Sequence, residues 1–213
     1  YCLTVAAAED TAALLAKNGH RVVAYTGRTD PAERLIAEEA LKRNEVKALI
    51  ATSALGMGFD KPDLGFVVHL GAPSSPVAYY QQVGRAGRAT ANADVLLLPG
   101  AEDQAIWHFF ATNAMPTQPK ADAVLSALAG LDRPLSVAAL EARVDIKRGP
   151  LELLLKVLAV DGAVRSVKGG WVSTGEPWTY DDERYGRIAA ARQQEQRAML
   201  AYEQLDACRM AFL

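Results

Sequence analysis

The chain has 213 residues, room for one or two domains, and half of them are hydrophobic, so a substantial core is available. Its 23 Lys and Arg stand against 25 Asp and Glu for a formal charge of −2, which excludes a polycation that grips nucleic acid by bulk charge. No apolar run reaches the roughly 18 residues of a membrane span and no leader pattern is visible, so the expectation is a cytoplasmic protein without a membrane partner.

Along the first 112 residues, short apolar runs alternate with helical patterns. A helix near Ala7–Asn18 stops at Gly19, a natural residue just past a helix end. HRVVAYT, KALIAT, GFVVHLG and ADVLLLP read as buried strands. Between the first two, Asp30, Pro31 and Glu33 supply an N-cap, a first-turn proline and an acidic first turn for a helix reaching about Arg43. Ser75 and Pro76 open another helix in the same way. This alternation predicts a doubly wound α/β layer with a parallel sheet and functional loops at the strand C-terminal ends.

Two strings then fall where such a layer places chemistry. ATSALGMGFDKPD, residues 51–63, is a loop of small residues with one carboxylate after the strand ending at Ala51. QQVGRAGR, residues 81–88, sets Arg85 and Arg88 three apart on glycine-spaced backbone. Guanidinium groups stay charged and present a planar fork matched to phosphate oxygens. An arginine inserted against a transferring phosphoryl group accelerates related reactions by about 10³–10⁵. Two readings fit GRAGR alone: paired phosphate ligands, which requires both groups to reach an open surface, or helix-end residues that face water.

AYTGRT, ATSALGMGFDKPD, FVVHLGAP and AYYQQVGRAGR, in that order over residues 24–88, resemble the second motor domain of superfamily-two helicases, most closely the RecQ DNA helicases. The resemblance implies a RecA-like (P-loop NTPase type) domain over residues 1–115, with Tyr1 and Cys2 as the tail of its first strand. It implies that ATP sits between two such domains, with Arg85 and Arg88 as catalytic finger candidates and Gln81 and Gln82 ordering that face. Gly56, Gly58 and Asp60 would complete the nucleotide side, Asp60 as a ribose or finger-orienting partner or as an ordinary loop cap. Thr26, Gly27, Arg28, Thr52 and Ser53 would lie near DNA phosphates, or Thr26 and Thr52 would simply pack strand ends; Thr26 stands where RecQ proteins usually carry histidine. No phosphate loop and no acidic magnesium box are present, so ATP and Mg²⁺ would be held mainly by an N-terminal RecA-like domain of the same polypeptide. The abrupt start at Tyr1 agrees with that expectation.

After Met115 the texture changes. Residues 116–121 read as a linker, and 122–178 as three helices and a hairpin: 122–130, Ser136 to about Arg143, Lys147 or Pro150 to Val160, then GAVRSVKGGWVST around Lys168, Gly169 and Gly170. That is a winged-helix-like plan. By resemblance, Lys147, Arg148, Lys156, Arg165 and Lys168 are candidate DNA contacts; solvated charges on a packing module are the alternative. Trp171 is an unstacking wedge or, more simply, core.

From Asp181 the segment 179–213 reads as one long helix with an apolar stripe at Ile188, Met199, Tyr202, Leu205 and Phe212. The resemblance makes Cys208 the first ligand of a truncated four-cysteine Zn²⁺ module, its partners beyond Leu213; an ordinary half-buried helix cysteine is the alternative. The function so implied is ATP-dependent 3′–5′ unwinding of single-stranded and duplex-junction DNA in recombination and repair, on the bacterial nucleoid. Another superfamily-two translocase, or a non-catalytic winged-helix DNA-binding protein with a relic motor lobe, are the alternatives.

Overall fold

The structure is a computed structural model describing residues 1–56, 58–113, 116–131 and 133–213. It divides into two compact units, one of Tyr1–Trp107 with Arg192–Leu213 and one of His108–Ala191.

The first unit opens with α1 (Val5–Lys17), capped by the Thr4 hydroxyl, which accepts from the Ala7 N–H. Then come β1 (Val22–Tyr25), α2 (Pro31–Lys42), β2 (Ala48–Ala51), β3 (Phe66–Leu70), α3 (Pro76–Val83), β4 (Asp94–Leu98) and α4 (Asp103–Asn113). Asp30 and Ser75 cap α2 and α3 through their side-chain oxygens, as the sequence predicts.

β1 pairs with β2 and β3 with β4, both in parallel. Tyr1 and Cys2 join the pairs: the Cys2 N–H donates to Ala51 O and the Leu70 N–H to Tyr1 O, each at 2.8 Å. The layer therefore runs β1, β2, Tyr1–Cys2, β3, β4. Side chains alternate across it, because successive residues of a strand point to opposite faces. Val22, Ala24, Ala48 and Ile50 meet Ala8 and Ala12 of α1, whereas Val23, Tyr25, Leu49 and Ala51 meet Ala37 and Leu41 of α2. A helix on each face is the doubly wound arrangement.

The sequence reading marked no separate helix after β4. Its start is fixed by the buried Asp103 carboxylate, which accepts from Ala72 N–H at 2.7 Å and Gly100 N–H at 2.9 Å. One turn on, Trp107 Nε1 donates to the Ala72 carbonyl at 2.8 Å.

The second unit contains α5 (Gln118–Leu128), α6 (Val137–Glu141), α7 (Arg148–Val160), β5 (Val164–Val167) and β6 (Gly170–Ser173). Helix α5 begins inside the segment expected to be a linker, because Pro119 falls in a first turn, where its missing N–H costs nothing. The expected boundary at Met115 lies outside the described residues. β5 and β6 pair antiparallel, and Leu135 bridges to Trp171 as a third, one-residue strand. Gly170, at φ +146°, is required there, since a Cβ would run into the Leu135 carbonyl. Leu140, Leu151, Leu155 and Leu158 are fully buried in one core with Val124 and Val164.

The last segment departs from the single helix expected. Helix α8 (Asp182–Glu203) stops, and a short α9 (Arg209–Phe212) follows. Met199 and Tyr202 are buried with Val67, Tyr79 and Trp107, and the chain turns so that the Phe212 ring comes within 5.7 Å of the Tyr202 ring. A straight continuation would carry Phe212 away from that contact. No described helix is long and apolar enough to cross a membrane.

Candidate functional site

Helix α3 ends at Gly84, and the two arginines follow in the turn beyond it. Gly87, at φ +76°, reverses the backbone between them. Their fates differ. Arg85 is only 9% exposed. Its Nη1 donates to Phe59 O at 2.9 Å, and its Nη2 to Gly56 O at 2.9 Å and Leu55 O at 3.5 Å. Arg88 is exposed; its Nε donates to Gly84 O at 3.1 Å and its Nη1 to the Asp60 carboxylate at 2.8 Å.

The expectation of two equivalent groups at an open surface is thus corrected. Burial turns Arg85 into a rivet: its guanidinium is occupied by three carbonyls of the residues after β2. Arg88 alone retains a fork turned to solvent, steadied by one exposed carboxylate. Both sit beside a cleft of about 890 Å³ whose lining includes Gly58, Asp60, Tyr80, Gln81, Gly84 and Arg88. Gly58 and Gln81 are exposed.

Gln82 is half-buried, and its Oε1 lies 2.7 Å from Nε2 of His69 in β3. Sequence reasoning passed over His69. The available signal was a single polar residue at the centre of the apolar run FVVHL. Burial pushes its pKa down to about 4, so the ring is neutral near pH 7.

At the other loops, Gly27, Arg28 and Ser53 are exposed. The side chains of Thr26 and Thr52 are not. The Thr26 hydroxyl accepts from Arg28 N–H at 3.2 Å, and the Thr52 hydroxyl from Ala54 N–H at 3.3 Å. Both close the turns that follow β1 and β2, so what they offer a ligand is loop shape rather than a hydroxyl, which corrects the expectation of direct contact.

In the second unit, Lys147, Arg148, Lys156, Arg165 and Lys168 are all exposed. Arg148 is half neutralised: its Nε donates to Glu152 at 3.0 Å, and its backbone N–H to Glu141 at 2.9 Å. Trp171 is half-buried against the core, with its backbone paired to Leu135, the packing role rather than a wedge.

Cys208 is exposed at the N-cap of α9, and Cys2 is buried in the sheet. Among the described residues no group of three or more His, Cys, Asp or Glu could hold a metal ion. The donors here therefore fit neither a zinc site nor a magnesium site.

The layer thus carries an arginine-bearing turn riveted to the loop after the second strand. Residues 1–90 match the model of the helicase conserved C-terminal domain. Over 88 residues, 41% of this chain, the sequence is 41% identical to the ATP-dependent helicase SGS1 of Saccharomyces cerevisiae, covering 6% of that protein. Over 108 residues, 51% of this chain, it is 35% identical to the ATP-dependent DNA helicase RecQ of Pasteurella multocida, covering 17% of that protein. Among solved structures, the Escherichia coli DEAD-box protein SrmB aligns at 24% identity and TM-score 0.44, over 50% of this chain and 62% of that one. Residues 1–90 are accordingly similar to helicase C-terminal domains. The curated relatives it resembles include a RecQ helicase. The match spans only a minor part of either relative's length.

Proposed function

We propose that this chain supplies the second motor lobe of an ATP-dependent RecQ-type DNA helicase, working 3′ to 5′ on single strands and duplex junctions of the bacterial nucleoid. The observation that carries this reading is the division of labour between the arginines. Arg85 holds Leu55, Gly56 and Phe59 in place, and Arg88 presents a charged fork at the open cleft with Asp60 as its carboxylate partner.

When ATP is gripped by a first RecA-like lobe, the Arg88 fork exchanges Asp60 for γ-phosphate oxygens and offsets charge that builds during transfer. Asp60 holds the Arg88 Nη1 before that exchange, and the exposed Gln81 faces the same cleft. Exposed backbone at Gly27 and Ser53, with the Arg28 charge, suits a track along phosphates that ignores base identity. Mg²⁺ would be held by the first lobe, since no carboxylate cluster among the described residues serves it.

For residues 122–178 we propose a winged helix, supported by the order of α5, the Leu135 bridge, α6, α7, β5 and β6. Lys147, Lys156, Arg165 and Lys168 are its exposed cations for duplex phosphates, with Arg148 the weaker candidate because Glu152 already occupies it. Cys208 would serve a zinc module only with donors from outside residues 1–213.

The deciding experiment is Arg88→Ala in the full-length protein. ATP hydrolysis should fall by about 10³ or more while DNA binding persists. Ordinary turnover in that variant would end the assignment.

A further inference from the structure

His69 lies in β3 at 1% exposure, between the Tyr1 ring, stacked with centroids 5.2 Å apart, and the Tyr79 ring at 4.9 Å. A leucine or phenylalanine would fill that space without burying a polar ring, which costs free energy unless the ring is hydrogen-bonded. The compensating contact is to Gln82 Oε1 at 2.7 Å. A carboxamide oxygen can only accept, so the proton resides on Nε2 and Nδ1 is left bare. Nδ1 has no partner among the described residues.

The contact is directional, and it lands one turn before the arginine cluster. Gln82 and Arg85 are three apart at the end of α3, and the Arg85 N–H donates to the Gln82 carbonyl at 3.4 Å. Arg85 then holds Phe59 O, and the next residue, Asp60, holds Arg88. Hydrogen bonds joined through these residues' own covalent frames thus lead from the middle of the sheet to the exposed fork.

We propose that His69 is a positioning residue: its Nε2–H bond to Gln82 sets the end of α3 against β3, so that Arg85 meets Phe59 and Arg88 meets Asp60. The inference rests on the reading of Arg88 as the phosphate-facing group. His69 touches neither nucleotide nor DNA. Its effect is on how often Arg88 stands where a phosphate needs it, so it belongs to kcat rather than to nucleotide affinity.

Two measurements test this. In the present chain, the ¹⁵N shifts of the His69 ring should report an Nε2-protonated neutral tautomer, and Gln82→Ala should shift the Nε2 signal. An Nδ1-protonated ring would overturn the proposal. In the full-length protein, His69→Phe and Gln82→Ala should each lower kcat about tenfold with KM for ATP little changed. The double variant should be no slower than either single one, because both remove the same bond. His69→Gln, whose amide N–H reaches about as far as Nε2–H, should restore most of the rate, and it also keeps the test open if the phenylalanine variant fails to fold. Additive losses, or wild-type kcat in both single variants, would refute the positioning role. Arg88→Ala measured alongside separates the two claims: normal turnover there removes the underlying reading, whereas a dead Arg88→Ala beside a normal His69→Phe removes only this inference.

Discussion

The Arg88 guanidinium donates to the Asp60 carboxylate at 2.8 Å across 28 residues of sequence, and both side chains are about half exposed. An ion pair in that setting is worth at most about 1 kcal/mol to folding, because water and salt screen it and two long side chains must be ordered. Its value is placement. Asp60→Asn should leave thermal unfolding of this chain almost unchanged while slowing ATP turnover in the full-length protein. A large loss of stability would show that the pair is a structural tie instead.

Arg85 is the opposite case. Removing its side chain leaves the buried Phe59 carbonyl and the part-buried Gly56 carbonyl without their donor. Arg85→Ala should cost about 2–4 kcal/mol in urea unfolding, the range for breaking a buried charged hydrogen-bond cluster. Arg85→Lys should recover only part, because a point charge cannot reproduce the fork. A neutral Arg85→Ala would contradict the rivet.

The buried imidazole makes stability depend on pH. His69 titrates near 4 in the fold because burial disfavours its charged form, against about 6.5 in the unfolded chain. Between those values the unfolded state binds the extra proton, so stability rises with pH through the window and falls as the solution is acidified from about 6.5 to 4. The shift corresponds to roughly 3 kcal/mol at its limit. His69→Phe should flatten this segment of the pH–stability curve. An unchanged slope would mean the ring protonates in the fold.

In the second unit, Gly170→Ala should cost about 3 kcal/mol or more, since it adds a Cβ against the Leu135 carbonyl at a φ of +146°. Far-ultraviolet circular dichroism and Trp171 fluorescence read the loss. Gly169→Ala, where a Cβ meets open space, should cost less, only the penalty of its own positive φ. Equal losses would argue against the close approach.

Binding of duplex DNA should weaken steeply with added salt if Lys147, Lys156, Arg165 and Lys168 meet phosphates, with a slope of about −0.9 per phosphate neutralised. Lys168→Ala should reduce the slope by roughly one such unit. A flat response would assign the second unit to packing or protein contact.

The elements of the first unit were legible because each rests on local chemistry. Asp30–Pro31 and Ser75–Pro76 start helices wherever they sit, and four apolar runs separated by helical patterns have few ways to bury themselves other than as a parallel layer. The arginine turn was legible for the same reason, as a spacing of charges on glycine-rich backbone. The start of α4 was not, because Asp103 acts through Ala72, 31 residues away in sequence. Nor was the break after α8, which depends on Tyr202 and Phe212 meeting beside β3.

Most consequential is the difference between Arg85 and Arg88. Their immediate sequence surroundings are the same triplet, GRA and GRA again, and hold nothing that marks one as buried. Charge and spacing follow from the residues themselves, and so does the likeness to helicase C-terminal domains. Which guanidinium stays free is decided by distant backbone carbonyls brought against Arg85 and by a carboxylate brought against Arg88, and such pairings exist only once β2, β3 and α3 have packed.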